Sequence, residues 1–204
     1  MSILLNENNK KYVMDWNGPS NDLKVMEFEP TTWNVQSQQY NYVLSNTYTF
    51  GPGSFAPIWG SWFDTTTQTT TVNTPTPMYC DSGVASNGIS KIYGSNFEVA
   101  ESGWFNVQFS AQLDQASGAG HHIYIWLRKN GVDVPNSASE IAIQGTTAEC
   151  VAAWNWFIDL EVGDYINIMY YVDNANVQIK AAGSNGIRPA IPSVILTMNK
   201  IANL

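Results

Sequence analysis

From Trp59 onward the chain alternates apolar and polar residues in short runs separated by Gly, Asn and Pro. In "WFNVQFSAQLD", Phe105, Val107, Phe109, Ala111 and Leu113 share one face, because successive side chains of a strand point to opposite sides. "HHIYIWLRKNG" does the same with Ile123, Ile125 and Leu127, and its Asn130–Gly131 pair predicts a type I′ hairpin turn. "CVAAWNWFIDLEVGDYINIMYYV" reads as two strands around the turn "EVGD", where Gly163 accepts φ > 0 and Asp164 caps backbone N–H groups. "WGSWFDTTTQTTTV" predicts a long Thr-rich strand, suited to a pleated surface by β-branching. "ISKIYGSNFEVAESG" carries one or two strands, and "EIAIQG", "NVQIKAAG" and "PAIPSVILTMNKI" complete the set. No stretch has helical periodicity. The pattern predicts an all-β sandwich or barrel of about eight to ten strands.

Both faces of several strands are apolar. Trp154, Trp156 and Ile158 point one way, and Val151, Ala153 and Phe157 the other. Likewise Trp104 opposes Phe105, and Trp126 opposes Ile125 and Leu127. Several such groups left in water would form an aggregation-prone patch, so the second face needs a cover. An N-terminal segment or identical subunits could supply it.

Gly and Pro cluster at "FGPGSFAP", which marks a boundary. Residues 1–57 have no continuous apolar set large enough for their own core. They are expected to form an extended anchoring arm with one or two short strands, ordered against another surface. Residues 58–204 form the β domain.

Composition narrows the function classes. Charged residues are 13% of the 204, against roughly 25% in an average globular domain, and Thr, Asn, Gln and Ser take their place. A net charge of −8 with nine Lys and Arg argues against nucleic acid and against anionic membranes as partners. "MSILLNENNKKYVMDW" has too short an apolar run for a signal peptide or span, so synthesis in a cytoplasm without export is expected. Cys80 and Cys150 are far apart in sequence and read as reduced, half-buried thiols.

No metal, phosphate-loop, dinucleotide or nucleophile motif is present, so no cofactor, metal or catalytic residue is assigned and an enzyme is not expected. His121 and His122 are adjacent on a strand and should point to opposite faces rather than serve one ligand. Asp114, Asp159, Asp164 and Asp173 read as turn caps and solubilising charges.

The order of "ESGWFNVQFSAQL", "IYIWLRKNGVDV", "WNWFIDLEVGDYINIMYYV" and "PAIPSVILTMNKI" resembles the C1q/TNF-like jelly roll, over residues 58–201. The matching features are Gly103 with Phe105, Leu127 to Gly131, Leu160 with Gly163 and Asp164, and Ser193 to Met198. "GSWFDTTTQTT", "LRKNGVDVPNSASEI" and "AAWNWFIDL" look like the version found in tailed-bacteriophage and other viral structural proteins. The resemblance implies a jelly-roll β-sandwich that forms three-fold homotrimers through one sheet. Trp104, Ala153, Trp154, Trp156, Phe157 and Ile195 are then candidates for the trimer contact. Parity alone leaves open which of the two sets on the "AAWNWFIDL" strand meets the axis.

It further implies a virion structural protein, a head decoration or cement protein on the capsid exterior. Its arm, with Trp16, Trp33, Tyr40 and Tyr42, would grip the major capsid protein or another virion protein. The alternative is a tail-fibre or receptor-binding tip that holds a cell-surface glycan through apical loops, with His121 or Tyr171 stacking on sugar.

Overall fold

The computed structural model describes residues 2–5, 11–17, 22–36, 39–50, 57–118 and 120–204. The chain divides into two compact units between Ala56 and Pro57.

The first unit is an antiparallel sheet of β1 (Ser2–Leu5), β2 (Lys11–Asn17), β3 (Asp22–Asn34) and β4 (Gln39–Phe50), in that spatial order. Four strands stand where the composition suggested one or two short ones. Two of them run 13 and 12 residues, with register shifts between Glu27 and Phe28 and between Pro30 and Thr32. The second shift follows from Pro30, which has no N–H to give to a ladder.

The second unit is a sandwich of thirteen strands. They are β5 (Trp59–Asp64), β6 (Thr76–Pro77), β7 (Ser82–Asn87), β8 (Ile89–Ile92), β9 (Asn96–Val99), β10 (Gly103–Gln115), β11 (His121–Lys129), β12 (Val132–Asp133), β13 (Ser139–Ile143), β14 (Glu149–Leu160), β15 (Tyr165–Val172), β16 (Val177–Ile179) and β17 (Val194–Ala202). One sheet has the order β14-β10-β17-β5-β7, with β16 also pairing β10. The other runs β12-β11-β15-β9-β8, with β13 pairing β11 and β6 pairing β15. All pairings are antiparallel, and the described residues contain no helix.

The core lies between the two sheets and is built on alternation, although Trp126 on β11 and Asn167 and Met169 on β15 are buried from the other parity. Phe105, Val107, Phe109, Ala111 and Leu113 of β10 and Val194, Leu196 and Met198 of β17 are buried from one side. Ile123, Ile125 and Leu127 of β11 and Ile166, Ile168, Tyr170 and Val172 of β15 are buried from the other. At roughly 25 cal/mol per Å² of apolar surface, these ladders are the main source of stability.

The turns follow local chemistry. Asn130 and Gly131, at φ 50° and 80°, close the β11–β12 hairpin. Asp164 Oδ2 accepts from the Glu161 N–H at 2.8 Å and Oδ1 from Asn130 Nδ2 at 2.6 Å, tying two turns together.

The Thr-rich segment departs from expectation. Its strand ends at Asp64, and Thr65–Val72 is irregular, with one bridge from Gln68 to Ile179. Buried Asp64 accepts from Thr66 N–H at 2.7 Å, Thr66 Oγ1 at 2.6 Å and Asp81 N–H at 3.1 Å. Thr70 Oγ1 donates to the Thr74 carbonyl. Side chains that bond nearby backbone offer it an alternative to a ladder, and here they outcompete β-propensity.

Candidate functional site

The sandwich presents two outer faces of different chemistry. On the β10 sheet, three successive cross-strand rows point outward. They are Ala153–Ser110–Ile195–Phe63–Ser82, Asn155–Gln108–Thr197–Ser61–Ala85 and Phe157–Asn106–Asn199–Trp59–Asn87. None of these side chains is ionisable, in a chain of net charge −8. Phe157 is 61% exposed, Val151 57%, Trp104 42%, Ile195 41% and Trp59 38%. The amides between them are joined: Asn155 Nδ2 donates to Asn106 Oδ1 at 3.0 Å. An apolar and neutral-polar surface of this kind has the composition of a protein interface core, where charge is depleted.

β14 is the edge strand of that sheet, 12 residues long, and beside it lies an apolar cleft of about 420 Å³. Val132, Val134, Pro135 and Ile158 are among its walls.

The structure resolves the parity of β14 and divides the candidate contact residues. Ala153 and Phe157 face outward, in the same sheet face as Trp104 and Ile195. Trp154 and Trp156 face inward and leave the candidate set. Trp156 stacks on Phe109 with ring centroids 5.2 Å apart, and Trp154 meets the same ring edge-on at 4.7 Å. Trp156 Nε1 donates to the Ser137 carbonyl at 3.2 Å, while Trp154 Nε1 is buried without a partner. These indoles pack against the core beneath the edge strand of the sheet.

The outer face of the β11 sheet is aromatic and charged. Tyr124 and Tyr171, directly opposite on β11 and β15, stack with centroids 4.4 Å apart. Trp126 meets Tyr171 edge-on at 6.0 Å, and its Nε1 donates to Asp133 Oδ1 at 2.7 Å. Arg128 Nε donates to the same oxygen at 2.6 Å. Hydrogen bonds from Arg128 and Trp126 hold the Asp133 carboxyl below the usual range. Tyr124 Oη donates to Glu140 at 2.8 Å, and that bond above all pushes its phenol up to about 12.

His121 and His122 are not separated as alternation predicts. His122 Nδ1 lies 2.9 Å from Asp173 Oδ2, and His121 Nδ1 lies 3.9 Å from Asp173 Oδ1. Asp173 follows β15 at the open end of the pairing, where one carboxylate is within reach of both rings. The His122 backbone N–H also donates to it at 2.8 Å. Burial would raise the Asp173 carboxyl, but these bonds and the two imidazoles outweigh it and hold it low.

Among the described residues no group of three or more His, Cys, Asp or Glu side chains is arranged to hold a metal. Cys80 and Cys150 are free thiols, Cys80 buried and Cys150 half-buried. Of the arm candidates, Trp16 lies on β2, Trp33 on β3, and Tyr40 and Tyr42 on β4. Tyr42 is half-buried, and the side chains of Trp16, Trp33 and Tyr40 lie outside the described residues.

Sequence reading missed Tyr124, Asp133 and Asn136 on the β11 face. Tyr124 and Trp126 share a parity, which was visible. Asp133 reaches Trp126 across the β11–β12 hairpin that the Asn130–Gly131 turn closes, whereas the course of residues 134–138 has no such local signal.

No protein-family model matches the chain, and no curated protein matches it. Solved structures do. The globular domain of zebrafish complement 1qA protein is 14% identical, with a TM-score of 0.50 over 73% of this chain and 100% of that one. Murine APRIL is 12% identical, with a TM-score of 0.47 over 72% of this chain and 100% of its own. At the identity of the complement domain the likeness is one of fold, and with the strand order above it makes the second unit a C1q/TNF-like jelly roll.

Proposed function

We propose that this chain is a non-enzymatic structural protein that assembles as a homotrimer through the outer face of the β10 sheet. The carrying observation is that face itself: three full rows without an ionisable side chain, with Trp59, Phe157 and Ile195 exposed upon them and Trp104 in the next row, beside Asp159. Water is a poor partner for so much apolar surface, and a long edge strand such as β14 invites cover. A second copy supplies both, because a heterologous contact that closes after three steps treats each copy equally. Three-fold closure is what the C1q/TNF-like resemblance implies.

The finer reading is a decoration or cement protein on a virion capsid, with residues 1–57 as its grip on the particle. Its support is the resemblance of "GSWFDTTTQTT" and "AAWNWFIDL" to viral structural proteins, together with an acidic balance that would keep an exterior component off released DNA. Three arms on one trimer multiply individually weak contacts.

Sedimentation at micromolar concentration tests the assembly. A mass of three chains is expected, and a stable monomer would sink it. Copy counting in purified particles tests the location: hundreds of copies on the head are expected, and a few at the tail would exclude decoration.

A further inference from the structure

We propose that the groove over Trp126 on the outer face of the β11 sheet is a binding site for a neutral pyranose ring. It lies on the sheet face rather than in apical loops. It is independent of the trimer reading, because it sits on the opposite side of the sandwich from the uncharged face.

The groove has a volume of about 320 Å³, at the small end of ligand pockets, and is lined by Tyr124, Trp126, Asp133, Val134, Asn136, Ala138 and Tyr171. Its aromatic lining is the two half-buried tyrosines, Tyr124 and Tyr171, with Trp126, which is 8% exposed, beneath them. The faces of such rings carry negative charge density and attract the polarised C–H groups on the flat side of a sugar. The rings are already packed on each other, Tyr124 on Tyr171 at 4.4 Å and Trp126 against Tyr171 at 6.0 Å, so little side-chain freedom remains to be lost on binding.

The polar groups fit hydroxyls. Asp133 uses Oδ1 for both Trp126 and Arg128, and its Oδ2 meets no partner among the described residues. The same holds for the Asn136 side-chain amide and Tyr171 Oη. An acceptor, a donor–acceptor amide and a phenol therefore border one aromatic lining, the set that vicinal hydroxyls require.

Charge selects against a cation. Aromatic rings beside carboxylates could hold a quaternary ammonium by cation–π attraction. Here Asp133 is paired with Arg128, whose Nε is 2.6 Å away, and Glu140 is engaged by Tyr124 Oη, so neither carboxylate is left without a partner for a cation to fill. A neutral polyol needs no vacant carboxylate. A single shallow site of this kind binds weakly, and several copies on one assembly would raise the avidity.

The test is saturation-transfer NMR and tryptophan fluorescence of the full chain with glucose, galactose, mannose and N-acetylglucosamine, and in parallel with tetramethylammonium. At least one sugar is expected to receive saturation and to change tryptophan emission. Asn136→Gly removes the amide while tolerating the backbone, since Asn136 has φ 60°. Asp133→Asn keeps an acceptor for Trp126 Nε1 but alters Oδ2. Each should weaken binding by about tenfold, the equivalent of one hydrogen-bonded contact. No response to any of the four sugars, sugar binding that both variants leave unchanged, or groove-dependent binding of tetramethylammonium instead would each overturn the proposal. Sedimentation of the same samples reports the oligomer separately.

Discussion

Phe109 and Trp156 stack at 5.2 Å with their planes 9° apart, inside the sandwich and across the β10–β14 pair. One residue along β14, Phe157 turns to the other side and is 61% exposed. Adjacent aromatic residues thus have different surroundings, one packed on the core and one on the exposed outer face of the sheet.

That division is separable by mutation. Phe157→Asp combined with Ile195→Asp should yield a folded monomer, with unchanged circular dichroism and a sedimentation mass of one chain. Trp156→Ala should instead lower stability, toward the lower end of the roughly 3–5 kcal/mol that large aromatic truncations cost, because the indole is only partly buried. Urea unfolding distinguishes the two.

Gly60 is a packing requirement. A Cβ there would come within 2.0 Å of the Trp62 ring, which is buried and packs against Phe97 at 4.8 Å. Gly60→Ala should therefore cost about 1–3 kcal/mol, the usual range for overpacking. A midpoint of denaturation equal to that of the parent protein would show that the indole can move aside.

Acid sensitivity should depend on Asp164. Burial would raise its carboxyl, but the Glu161 N–H, Asn130 and Lys129 outweigh that and hold it below the ordinary value. Lys129 Nζ lies 2.9 Å away. A depressed folded pKa contributes stability that is present above the unfolded value of about 3.9 and is lost as pH falls through the folded value. Asp164→Asn should be less stable than the parent at neutral pH, with the gap narrowing below about pH 4. Denaturant midpoints measured against pH read this, and a gap that widens in acid would contradict it.

The thiols should differ in reactivity. Burial above all, with the nearby Asp64 carboxylate, pushes Cys80 up to about 12, and burial raises Cys150 as well. An aromatic disulfide reagent at mildly alkaline pH should modify half-buried Cys150 slowly and Cys80 only on unfolding, since the thiolate is the reacting form. Rapid modification of Cys80 in the native protein would show that the β5–β8 region opens readily.

The acid–aromatic face and the neutral face differ in how far they could be read from sequence. Strands β10, β11, β14, β15 and β17, their inward residues and the turns at Asn130–Gly131 and Gly163–Asp164 were legible, because a strand's alternation and a turn's φ requirement are local. The Thr-rich run misled, because Asp64 captures Thr66 and the Asp81 N–H and so stops the strand, and Asp81 comes from 17 residues on. His121 and His122 misled for a related reason: Asp173 arrives at the open strand end from another element.

Periodicity by itself determined that β14 has two apolar faces, since it depends only on spacing along one chain. Which face meets the core was decided by where Phe109 lies, and which polar groups border Trp126 by the path of the 133–138 loop. The first is a consequence of packing between segments far apart in sequence, where the energy of burial is gained only after the layers have met. The second is set closer by, across the β11–β12 hairpin and the turn that follows it.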